Sequence, residues 1–94
     1  MASFQNSETV VAGPKDLGRL VRAQRKSAGL RIDDAAALCG VSVDLLSRLE
    51  NGHAGVSSER LLKVLDGLGL SMIVVEKSDV SRMIGRRGSG HEPT

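Results

Sequence analysis

The chain has 94 residues, room for one domain whose small core gains from oligomerisation. Its one aromatic residue, Phe4, cannot form the stacking platform that binders of single-stranded nucleic acid use, and its net charge of +2 permits nucleic-acid binding without demanding it. One cysteine, Cys39, and two isolated histidines exclude an internal disulfide and a metal site, and no stretch approaches membrane-spanning length.

Residues 1–13, MASFQNSETVVAG, are polar apart from the β-branched pair Val10–Val11 and read as an N-terminal arm with a candidate short strand at that pair. The first 16 residues lack both a basic start and a long apolar run, so no signal peptide is read, and a reducing, cytoplasmic setting is expected. Pro14 suits the first turn of a helix, where its missing N–H costs nothing. That helix is expected to run to about Ala28 and stop at Gly29. Leu17, Leu20, Val21, Gln24 and Ala28 share one face, while Lys15, Arg19, Arg22 and Lys26 share another that reads as a solvated basic stripe.

RIDDAAALCG predicts a second helix of two turns, with Asp33 and Asp34 near its positive end and Gly40 closing it. Ala35, Ala36 and Cys39 are small enough to let another helix approach. Ser42 is a good N-cap for a third helix over 43–50, with Leu46 and Leu49 inward, and Asn51-Gly52 stops it. Ser57 caps a last helix reaching about Leu68, with Leu61, Val64, Leu65 and Leu68 on its apolar side.

The next segment changes character. Met72, Ile73, Val74 and Val75 form a continuous apolar run rich in β-branched residues, which predicts a strand over 71–76. A lone strand leaves its polar backbone unpaired, so it needs a partner: Val10–Val11, the same strand of a second copy, or both. The tail 78–94, basic and glycine-rich, is expected to be flexible. It can hold a protein partner, contact DNA or remain unstructured. The domain plan is therefore an arm over 1–13, a folded domain over 14–77 and that tail.

Two short helices joined by CGVS, preceded by a longer helix and followed by LENG, have the spacing of a helix-turn-helix, in which the second helix protrudes into the major groove. A generic helical bundle would use the same caps and apolar faces. The quoted residues go further. LGRLVRAQRKSAGLRIDDAAALCGVSVDLLSRLENG resembles the Cro/CI-like (XRE) helix-turn-helix family, a resemblance that extends over residues 17–69. LLKVLDGLGLSMIVVEK, with a strand straight after the last helix, is more narrowly similar to HipB-type antitoxins, as are the short SFQ segment and the Pro14–Leu17 spacing.

The resemblance implies a mainly α, lambda-repressor-like bundle of four to five helices with one short C-terminal β-strand, acting as a homodimer. It implies a repressor that binds double-stranded operator DNA, controls its own operon and partners a HipA-like serine/threonine kinase toxin. Arg25 and Glu50 fall where the family has a buried or half-buried ion pair, from which Arg25 can also support a phosphate contact. Base contacts in the family come from the start and outward face of helix 3, here Ser42, Val43, Asp44, Ser47 and Arg48. Arg48 suits guanine or a phosphate, Val43 a thymine methyl, and Asp44 a cytosine amino group, although phosphates repel it. Asn51 and the loop amides after it match a phosphate-contacting segment. Ile32 replaces the family's usual phosphate-binding Gln and Arg31 its Ser/Thr cap, so Arg31 is expected to supply the lost contact. Dimerisation falls to Met72, Ile73, Val74 and Val75.

Cys39 lies among packing residues, His53 stands alone after the NG stop and His91 lies in the tail. No nucleophile–base pair appears, so no catalytic residue, metal or cofactor is expected. The rival readings are a stand-alone regulator without a toxin, and a protein-binding module with weak DNA binding.

Overall fold

In this computed structural model residues 10–82 are described; the SFQ segment, His91 and the tail beyond residue 82 lie outside them. The chain separates into two units, one of them Val11–Met72. That unit holds α1 (Pro14–Ser27), α2 (Ile32–Cys39), α3 (Val43–Glu50) and α4 (Ser58–Gly67). Each begins where the sequence predicts, and each ends within a residue or so of the expected stop.

The caps explain the boundaries. Pro14 is the first residue of α1, and Asp16 reaches back to accept from the Ala12 N–H at 3.0 Å. Ser42 accepts from Leu45 N–H at 3.0 Å and Ser57 from Arg60 N–H at 3.2 Å, so both predicted serine caps form. Gly40 takes a left-handed φ of 74° after α2, and the Val41 N–H then bonds back to the Ala36 carbonyl at 3.0 Å. That reversal turns the chain directly into α3.

α1 packs on α3, and α2 packs on both α3 and α4. The core consists of Val21, Ala35, Ala36, Cys39, Leu46, Leu49, Val64, Leu65 and Leu68. All nine lie on faces read as inward from the sequence, and Leu17 and Leu61 pack half-buried around them. Ala28, expected on the apolar face of α1, instead caps its C-terminus and is exposed. Gln24, on the same face, donates to the Leu68 carbonyl at 3.0 Å and so ties α1 to the end of α4.

Two glycines set the spacing between helices. A Cβ on Gly18 would lie 2.5 Å from the Leu49 carbonyl oxygen and 2.6 Å from that of Glu50, so α1 meets the end of α3 backbone to backbone. A Cβ on Gly67 would lie 2.6 Å from the Cys39 sulfur, which seats α4 against α2.

The other unit contributes Val10 and residues 73–82 to the described set. Two expectations change here. The segment 71–76 forms no strand, and neither do Val10 and Val11. A strand exists only through a ladder of hydrogen bonds to a neighbour, and no such ladder forms among the described residues. The tail, expected to be flexible from Ser78, instead opens with a helical turn and a half, α5, over residues 77–82. Asp79 and Arg82 pair along it at i,i+3, and the Asp79 N–H bonds to the Glu76 carbonyl at 2.8 Å. Among the described residues no helix is long and apolar enough to cross a membrane.

Candidate nucleic-acid interface

α3 has two distinct faces. Leu46 and Leu49 are buried beneath it, while Val43 and Asp44 are exposed and Ser47 and Arg48 half-buried on the other side. The proposed base readers therefore lie together on one outward face, with Ser42 at its start and Asn51 at its end. Their local bonds differ. The Ser42 Oγ accepts the capping bond, which leaves its hydroxyl proton free to donate. The Asn51 side-chain amide donates to the Ser47 carbonyl at 2.8 Å and to its Oγ at 3.5 Å. Asp44 and Arg48 stand one turn apart at 3.6 Å, a loose pair in solvent.

This face is held rigidly from below. Arg25 grips Glu50 with two bonds, Nε to Oε2 at 2.6 Å and Nη2 to Oε1 at 2.9 Å. A third bond runs from Nη1 to the Leu30 carbonyl at 3.0 Å. The side chains are 11% and 5% exposed, so the charges are nearly withdrawn from water and each depends on the other. The bond to Glu50 raises the Arg25 pKa further, burial works against it, and the Coulombic attraction of Glu50 adds to the rise. The expected ion pair therefore forms between the last turn of α1 and the last residue of α3. Three bonds leave Arg25 two N–H groups of its five for anything else, so its geometry is that of a strut before that of a phosphate ligand.

Arg31 stands at the N-cap of α2 with extended backbone and an exposed side chain, 3.4 Å from the Asp33 carboxylate. Ile32 is half-buried and packed on the core, which accounts for the apolar residue where the family usually has a glutamine. Met72, Ile73, Val74 and Val75 are all exposed, Val74 to 88%. Cys39 is buried and donates weakly to the Val64 carbonyl at 3.6 Å, and burial pushes its thiol pKa up.

Sequence reasoning missed three contributors to this arrangement. Nothing local to Gly18 or Gly67 signals the carbonyls or the sulfur that they admit. Lys15, read as part of a solvated stripe, lies against Gly52, whose Cβ would come 2.9 Å from the Lys15 Cγ. Gly52 also has a left-handed φ of 78°, so the exit from α3 admits no larger residue without strain.

The helix-turn-helix domain model matches residues 16–83. An uncharacterized HTH-type transcriptional regulator of Sinorhizobium fredii, y4mF, is 37% identical over 62 residues, covering 66% of this chain and 82% of that protein. A chain of the HipA-HipB-O2-O3 complex superposes with a TM-score of 0.67 at 22% identity, covering 73% of this chain and 97% of that one. Capped helices, a glycine turn into α3 and an outward polar face on that helix thus coincide with a family match over most of the chain, and the protein belongs to the helix-turn-helix domain family.

Proposed function

We propose that this protein is a dimeric, sequence-specific DNA-binding repressor that acts as the antitoxin of a HipBA-like module. In this reading it controls its own operon and binds a HipA-like serine/threonine kinase toxin. The observation that carries the DNA-binding part is the outward face of α3, where Asp44, Ser47 and Arg48 project from a helix braced by the Arg25–Glu50 pair. Such a face suits base edges in the major groove. The name of the Sinorhizobium fredii relative, a transcriptional regulator, supports regulation, and the likeness to a chain of the HipA-HipB-O2-O3 complex supports the toxin partner. The chain is read as a binding protein without an enzymatic activity of its own.

Ser42, Val43, Asp44, Ser47 and Arg48 are assigned to bases, and Arg31, Asn51 and the remaining donors of Arg25 to phosphates. Dimerisation is assigned to Met72–Val75. Four consecutive apolar side chains stand in water there, on a segment whose backbone forms no ladder. A second copy supplies both the cover and the hydrogen bonds, and twofold symmetry doubles a contact too small to specify a site alone. A stand-alone regulator is the second reading, favoured by the relative's description as a transcriptional regulator.

Electrophoretic mobility shift on the gene's own upstream DNA, with a scrambled duplex as competitor, tests repressor against protein-only module. Co-purification with a kinase encoded in the neighbouring reading frame separates the antitoxin from the stand-alone regulator.

A further inference from the structure

The outward face of α3 carries two opposite charges, Asp44 and Arg48, one turn apart, with the Arg48 Nη1 3.6 Å from the Asp44 Oδ2. Resting on the DNA-reading function above, we propose that they act as one two-base reader, with Asp44 requiring a cytosine and Arg48 a guanine in a neighbouring base pair of each half-site.

Elimination along the face leads to these two. Ser42 and Ser47 carry short neutral hydroxyls that already accept from Leu45 N–H and the Asn51 amide, and Val43 offers only methyl groups. Asp44 and Arg48 are the charged side chains there, paired only loosely with each other. An ionised carboxylate only accepts hydrogen bonds. In the major groove only adenine and cytosine offer it a donor. Adenine places the N7 acceptor beside that donor and repels the second carboxylate oxygen, whereas the cytosine edge presents its amino group without a competing acceptor. Guanine, with O6 and N7 side by side, matches the guanidinium fork.

The spacing agrees. Four residues of helix rise about 6 Å, against about 3.4 Å between successive bases, so the two side chains reach adjacent or next-but-one base pairs. Asp44 has a second effect. Its charge, 3.6 Å from the Arg48 guanidinium, disfavours the slide of Arg48 towards a phosphate, and both carboxylate oxygens stay open to the cytosine amino group.

The test is selection from a duplex library with randomised, palindromic half-sites, run with the full chain as wild type and as Asp44→Asn. Asp44 is exposed, so the variant keeps the fold, and its melting temperature checks this. The wild type is expected to enrich one C·G pair next to a guanine in each half-site. Asp44→Asn is expected to convert that pair to A·T, because an asparagine amide bonds adenine N6 and N7 together, and to retain the guanine. In competition titrations the preference at that position should reverse by about tenfold or more in each direction, the scale of one good base contact. A sharp motif that is identical for both proteins overturns the two-base reader and leaves the DNA-reading function standing. A wild type that enriches no sequence overturns that function, and the reader with it.

Discussion

Arg25 and Glu50 join positions 25 residues apart through a fork of bonds at 2.6 and 2.9 Å, and this pair fixes the end of α3 to the last turn of α1. Losing one member leaves the other charge buried and unpaired, a cost of about 3–5 kcal/mol. Arg25→Met and Glu50→Leu should each destabilise strongly in urea unfolding, while the double variant should cost less than either alone. A double variant as unstable as the sum of the singles would show that the pair's charges are independent.

Gly18 sits against two carbonyl oxygens at the end of α3. Alanine in a helix interior normally gains about 1 kcal/mol over glycine. Here Gly18→Ala should instead destabilise by about 1–3 kcal/mol, because the added methyl group meets backbone that cannot rotate aside. A raised melting temperature for the variant would contradict the close approach of α1 and α3.

The caps and the apolar faces of the helices were legible in the residues themselves. Ser42, Ser57 and Gly40 carry local chemistry, and Leu46, Leu49, Val64 and Leu65 follow helical spacing, so both signals survive in a single sequence. The Arg25–Glu50 pair was legible through the family pattern and through the need of an inward charge for a partner. Gly18 and Gly67 were not, since their meaning lies in atoms brought near by folding. The apolar pattern of 71–76 was readable, but the segment forms no strand, because a strand needs a ladder partner that the described residues do not supply. Ile32 was legible as a departure, and its packing on the core supplies the reason.

Cys39 is buried, and its thiol pKa is raised. An unfolded thiol ionises near its ordinary pKa of about 8.5, whereas the folded one stays protonated to higher pH. The stabilisation from this group is therefore complete below that unfolded value and is lost as pH rises through the folded pKa. Unfolding free energy should fall over this alkaline window in the wild type, and Cys39→Ala should lack that component. At neutral pH a thiol reagent should label the native protein far more slowly than the urea-unfolded chain; equal rates would contradict the burial.

Val74 is almost fully exposed in the middle of the apolar run. Proline there removes a ladder N–H and fixes φ, so Val74→Pro should shift the protein from dimer to monomer in sedimentation velocity. Persistence of a tight dimer would move the interface away from Met72–Val75.

In the proposed function the outward face of α3 reads operator DNA. Fluorescence anisotropy with the gene's own upstream duplex and a scrambled duplex, across a salt series, tests it most directly for wild type and Arg48→Ala. The wild type should prefer the upstream duplex at every salt concentration, with affinity falling log-linearly as salt rises, and Arg48→Ala should lose about tenfold or more of that preference. Equal binding of both duplexes by the wild type, or an undiminished preference in Arg48→Ala, would contradict it.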